Sequence, residues 1–384
     1  MLFAPFSQRR IFMDYAAGDT ANPSSIHTPG VTIRRDLESA RKAIAQILAV
    51  QARELVFTSG GTEANNLAIL GVFRASRRMI KHPHIITSTI EHASVLEAVK
   101  QAEREGAEVS YLKVKDDGVV DISKIESLIR PETVLVSLMH ANNETGTIQP
   151  VREVGLILSE LKTKNYQLKT PYFHVDACQS AGYRSIEPQA FLADLLTVSG
   201  HKVHGPKGTG VLFVKQGVNV EPLLFGGGQE YSLRPGTENV EGQVRFAEAF
   251  VGAHAKRHEE SRRLEELRTY FIAEITAQGS LVQYNGSRAH QLPHIVNISF
   301  LQLESDRMVL ELDRKGIAVS AGSACHAGQS AFSAVIAAMR GETAAQSAIR
   351  FSFGDTATKK DIQIVTAAIS DILKRTLATY GGVK

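Results

Sequence analysis

"LLTVSGHKVHGPKGTGVLFV", residues 195–214, reads as two apolar runs joined by a polar, glycine-rich loop. "LLTVSG" and "GVLFV" have the composition of strands, and the loop frames one flexible amine, Lys202, with Ser199, Gly200, His201, His204 and Pro206. A solvated surface lysine needs no such frame. A lysine that must hold one position, and be neutral when it attacks a carbonyl, does; this is the requirement for a Schiff-base lysine.

Outward from this loop, strand-like runs alternate with helical ones. Residues 34–48 place Leu37, Ala40, Ile44, Ile47 and Leu48 at helical spacing. "ELVFTS" leads through glycines into "EANNLAILGVF", "HIITS" into "ASVLEAVKQAERE", and "TVLVSLMH" into "VREVGLILSELK"; "YFHVDA" comes before the opening stretch. This alternation predicts an α/β fold with a mainly parallel sheet covered on both faces, and ligands beyond the carboxyl ends of its strands. After the glycine-rich "FGGGQEYSLRPGTEN" the pattern changes to a long charged helix, "HIVNISF", "SDRMVLELDRKG", a small-residue segment around Cys325, "AIRFSF" and a last helix with Thr358 and Asp361 as its capping pair. The expected division is a large domain over 12–245 and a smaller α+β domain over 246–384, with residues 1–11 packing beside the latter.

The bulk numbers exclude several classes. Of 384 residues 43% are hydrophobic and 22% charged, an ordinary globular mixture, and 43 basic against 40 acidic residues give +3, no electrostatic case for direct nucleic-acid binding. No apolar run is long enough to cross a bilayer, and Arg9 and Arg10 precede only Ile11, Phe12 and Met13 before Asp14, so no signal-peptide core follows them. The expectation is a cytoplasmic protein without membrane association. Cysteine occurs only at Cys178 and Cys325, and no Cys/His spacing resembles a metal site, so no metal is expected. His82 and His84 read as part of a pre-strand turn.

Three pieces carry chemistry. In "TSGGTEAN", Gly60 and Gly61 end a strand and Thr62 opens a helix, so amide groups and a hydroxyl converge as an anion cup, which Ser199 and His201 could complete; a plain strand-to-helix turn has the same sequence. Asp176 of "HVDACQS" follows an apolar strand, and a buried carboxylate there needs a cation, such as a protonated ring nitrogen, or several backbone amides; Gln179 can add a neutral hydrogen bond. With Lys202 for an aldehyde, these pieces describe a pyridoxal phosphate site.

The motifs "NPSSIH", "TSGGTEANN", "IEHASV", "HANNETGTIQPV", "HVDACQS", "SGHKVHGPKGTG", "RPGTEN", "SAGSAC" and "IRFSFG" occur in one order across nearly the whole chain. In them the chain resembles cysteine desulfurases of the NifS/IscS type, within the class V aminotransferase-like family. The resemblance implies the pyridoxal phosphate-dependent transferase fold of fold type I, aspartate aminotransferase-like. It implies that Lys202 binds the cofactor and shuttles the substrate Cα proton, that Asp176 pairs with the pyridine nitrogen, and that His92 stacks on the ring and handles protons. Asn143 and Gln179 would bond the ring oxygen, and Gly61, Thr62, Ser199 and His201 the phosphate. Thr237 would reach the phosphate of a neighbouring subunit, which implies a homodimer. Arg350, helped by Asn143, would grip the substrate carboxylate in a charge-assisted fork worth about 1.5–3 kcal/mol. Cys325 would attack the sulfur of L-cysteine as a thiolate, release L-alanine and keep a persulfide for an acceptor such as an iron–sulfur scaffold protein or a thiolation relay; Cys178 reads as a packed residue. Selenocysteine lyase and cyst(e)ine C–S lyase share most of these residues, and a silent scaffold that binds sulfur acceptors is the reading of another class. Two departures stand out. "MDYAAGDTANPSSIH" lacks the helix-length segment that the family carries before "NPSS", and Asp355 follows "FSFG" where many relatives have arginine.

Overall fold

The computed structural model describes residues 11–18, 21–164, 171–322 and 332–380. Its larger sheet has seven strands, β1 (Leu55–Thr58), β2 (His84–Ser88), β3 (Glu108–Leu112), β4 (Thr133–Met139), β5 (Tyr172–Asp176), β6 (Leu195–Ser199) and β7 (Gly210–Val214), in the order β1-β7-β6-β5-β4-β2-β3. β2, β3, β4, β5 and β6 pair in parallel, and β7 lies antiparallel between β6 and β1. The opening stretch is thus the β6–turn–β7 hairpin, one strand in from the β1 edge of this sheet.

Strand side chains alternate between two cores, as a two-fold repeat requires. Phe57, Val136, Leu196 and Phe213 face helix α1 (Thr28–Leu48) and helix Val151–Lys164. Their neighbours Val56, Leu135, Leu195 and Leu212 face helices α2 (Gly61–Ser76) and α3 (Ala93–Arg104). Covered on both sides, β1, β2, β4, β6 and β7 are buried at every position. Each fully buried Leu or Phe contributes about 1.5–3 kcal/mol, so the strands are pinned in register by their apolar sequence.

The smaller sheet joins β8 (Val282–Asn285), β9 (Ile295–Phe300) and β10 (Ala348–Ser352) in the order β10-β9-β8, all antiparallel. Its core includes Phe271, Ile298, Phe300, Phe351 and Ile369. Helix Val240–Thr276 links the two parts: Phe246 and Phe250 belong to the first core and Phe271 and Ile275 to the core of the smaller sheet. Residue 246 lies inside this helix. Helix Lys359–Tyr380 opens with the expected cap, Thr358 N–H donating to Asp361 Oδ2 (2.8 Å) and Asp361 N–H to Thr358 Oγ1 (3.2 Å). Among the described residues no helix is long and apolar enough to cross a membrane.

Candidate active site

The carboxyl ends of β1, β2, β4, β5 and β6 open on one cavity of about 320 Å³. Gly61, Thr62, His92, Asn143, Asp176, Gln179, Ser199, His201, Lys202 and Arg350 all line it. Thr237 is exposed on its loop and is not among the lining residues. Cys325 lies outside the described residues.

The cup is built from the β1–α2 turn. Gly60 has φ +148°, which a side chain rarely adopts, and a Cβ on Gly61 would come within 2.8 Å of Cys178 Sγ, so glycine alone lets the helix start this close to β5. Two further groups meet there: Ser199 Oγ is 3.0 Å from His201 Nδ1. The His201 imidazole is held below its ordinary pKa, by burial and then by the charges of Lys202 and Lys207, so at neutral pH it is a neutral hydrogen-bonding group.

Asp176 ends β5, opposite Met139 of β4 and Thr197 of β6. It is only 6% exposed. Asn65 Nδ2 donates to its Oδ2 (2.7 Å) and the Cys178 N–H to its Oδ1 (3.0 Å). Both of these donors are neutral, and the carboxylate borders the same cavity as Lys202. Lys202 sits in the 3-10 turn Gly200–Val203 directly after β6. That turn is rigid: the Gly205 N–H donates to Gly200 O (2.9 Å), and a Cβ on Gly200 would lie 2.2 Å from Thr209 Oγ1.

Arg350 reaches the cavity from β10 of the smaller sheet. Its Nη1 donates to the Asn143 carbonyl (3.0 Å), and its backbone exchanges hydrogen bonds with Ser320, close to Gly322, where the described chain stops. Cys178 borders the cavity, but burial, then the charge of Asp176, raise its thiol well above its ordinary pKa. It is not a thiolate at neutral pH. Among the described residues no three His, Cys, Asp or Glu groups are placed to hold a metal.

Sequence reasoning missed Asn65, Ser94 and Glu91. Glu91 is 4% exposed behind the cavity, with Ser88 Oγ donating to its Oε1 (2.5 Å). Burial, with Asp176 acting in the same direction, lifts its carboxyl from 4.5 to about 8. A carboxyl raised in the folded state contributes stability below its unfolded pKa and loses it as pH climbs to the folded one. Wild-type stability relative to Glu91→Gln should therefore fall between pH 4.5 and about 8, with a limiting slope of ~1.4 kcal/mol per pH unit. Urea unfolding of both proteins at several pH values measures this; parallel profiles would show that Glu91 ionises normally.

The class-V aminotransferase family profile matches residues 10–365. The cysteine desulfurase IscS of Dictyoglomus turgidum is 39% identical over 393 residues, covering 97% of this chain and 97% of that protein. IscS of Methanosarcina thermophila is 38% identical over 364 residues, 94% of this chain and 87% of that one. Among solved structures, a NifS-like protein superposes with a TM-score of 0.84 at 34% identity, over 94% of this chain and 93% of its own. SspA in complex with cysteine superposes with a TM-score of 0.73 at 32% identity, over 88% and 92%.

Proposed function

Because the chain belongs to the class-V aminotransferase family, we propose that it is a cysteine desulfurase that uses pyridoxal phosphate to move the sulfur of L-cysteine onto Cys325. The observation that carries this reading is a single cavity lined by a buried carboxylate, a framed lysine, an anion cup and an arginine. The residues fit the cofactor. The buried Asp176 carboxylate, at the edge of the cavity, would take a protonated pyridine nitrogen as a cationic partner. Gly61, Thr62, Ser199 and His201 offer amide, hydroxyl and imidazole donors for a phosphate at the α2 N-terminus. Lys202 would hold the aldehyde carbon, His92 the ring face, and Asn143 and Gln179 the ring oxygen.

When bound, pyridoxal phosphate supplies an electron sink that weakens the Cα–H bond of an attached amino acid. The chain does the rest. Arg350 binds the substrate carboxylate, and its bond to the Asn143 carbonyl fixes the direction of the guanidinium. Lys202 Nζ would take the Cα proton and later return it to Cα. The Cys325 thiolate would form a bond to the substrate sulfur as the carbon–sulfur bond breaks; the carbon fragment would gain a proton at Cβ and, with its Cα proton restored, leave as L-alanine, and the persulfide would remain. No net oxidant is needed. The solved relative with bound cysteine supports this substrate. Two cysteines in the chain fit a reducing compartment, and we place the reaction in the cytoplasm, with an iron–sulfur scaffold or thiolation protein taking the sulfur.

Product analysis tests the reading. Loaded with pyridoxal phosphate, the protein should convert L-cysteine to alanine in equal amount to transferred sulfur. Pyruvate with ammonia would instead identify a C–S lyase, and no turnover of any kind a scaffold.

We also propose a homodimer with composite sites. Thr237 lies outside its own chain's cavity, and the loop leading to it exposes Leu224, Tyr231 and Phe225, the last at 91%. Large apolar side chains this exposed suit a face covered by a second copy. Arg234 Nε, bonded to Glu63 Oε1 (3.0 Å), ties the same loop to the first turn of α2. Mixing inactive Lys202→Ala and Thr237→Ala chains should restore activity, since each mixed dimer regains one site with both residues intact. Two monomeric variants with no complementation would count against it.

A further inference from the structure

We propose that Asn65 and Ser94 are positioning residues that join Asp176 to His92 and fix the His92 imidazole as its Nε2–H tautomer. Asn65 stands one turn into α2 and is 1% exposed. Its Nδ2 has two hydrogens and uses both: one goes to Asp176 Oδ2 (2.7 Å), the other to Ser94 Oγ (2.9 Å). A flipped amide would set its oxygen against the carboxylate at 2.7 Å, two acceptors in contact, so the orientation is determined. Asn65 Oδ1 is buried with no partner among the described residues, so the amide is held by its donor side alone.

Ser94 Oγ thus accepts from Asn65 and has one hydrogen left to give. His92 Nδ1 lies 2.8 Å away. His92 is the N-cap of α3, and the same Nδ1 also accepts the Ser94 backbone N–H (3.1 Å). A backbone N–H can only donate, so Nδ1 carries no proton. The neutral ring then bears its proton on Nε2, and Nε2–H is the donor His92 brings to the cavity it lines. A single chain, Asp176–Asn65–Ser94–His92, sets the carboxylate direction at one end and the imidazole tautomer at the other.

The Asp176 half of the inference rests on the cofactor reading; the His92 half does not. Nitrogen-15 spectra of histidine-labelled apoprotein, with His92 assigned through a His92→Gln variant, should show Nδ1 unprotonated and Nε2 protonated at neutral pH. An Nδ1–H ring overturns the proposal. The second measurement is the affinity of the apoprotein for pyridoxal phosphate and for its analogue with carbon in place of the ring nitrogen. Asn65→Leu should weaken the natural cofactor roughly ten- to hundredfold, the effect of losing a hydrogen bond to a charged group, and leave the analogue unchanged. Equal losses for both would reduce Asn65 to a packing role and overturn its link to Asp176. If Asn65→Leu does not fold, Asn65→Ser is measured in the same way. Absence of cofactor binding by the wild type would count against the cofactor reading, while the tautomer would still decide the His92 half.

Discussion

Lys202→Ala is expected to abolish turnover and to leave the protein colourless after incubation with pyridoxal phosphate. Among the described residues Lys202 is the one lysine that lines the cavity, and the 3-10 turn that carries it is held by Gly200, Gly205 and Thr209. A lysine elsewhere on the flexible surface cannot take its place. Loss of proton transfer at Nζ alone costs about 10²–10⁴-fold, and the lost covalent attachment adds to it. Borohydride treatment of the loaded wild type followed by peptide mapping locates the attachment. A cofactor adduct on a different lysine, or wild-type turnover by Lys202→Ala, would sink the assignment.

Cys325→Ser should separate substrate binding from sulfur transfer. Arg350 and Lys202 do not depend on the thiol, so the variant should still bind L-cysteine and change colour. A serine hydroxyl is not ionised at neutral pH and is a poor substitute for a thiolate, so sulfur transfer should drop on the order of 10³–10⁶-fold, the range seen on removing a catalytic nucleophile. Cys178 cannot rescue it, because burial and Asp176 keep its thiol protonated. The variant is assayed with and without dithiothreitol, which separates attack by an external thiol from attack by the protein. Alanine release at the wild-type rate without reductant would show that Cys325 is not the acceptor.

What could be read from sequence follows from the range of each signal. The apolar strands ending on Asp176 and Ser199, the glycine turn at Gly60–Gly61 and the Thr358/Asp361 cap are local, and each lies where its pattern predicts. The strand Glu108–Leu112 escaped notice because it is a half-exposed edge whose sequence, "EVSYL", has one buried residue. Asn65 and Glu91 escaped because nothing local marks them: Asn65 meets Asp176 across 111 positions. The Arg41–Glu230 ion pair, buried at both ends and 189 positions apart, is equally silent in sequence. Composition changes near residue 246, while Val240–Thr276 is one helix whose two ends serve different cores, a continuity that composition does not reveal. Thr237 is not among the residues that line its own chain's cavity.

The most direct test of sulfur transfer is a single turnover. The loaded protein is mixed with one equivalent of L-cysteine and no acceptor or reductant, quenched by alkylation, and digested for mass spectrometry of the peptide that holds Cys325. One added sulfur atom on Cys325, with one equivalent of alanine released, is the predicted result. An unmodified Cys325 accompanied by pyruvate and ammonia would contradict it.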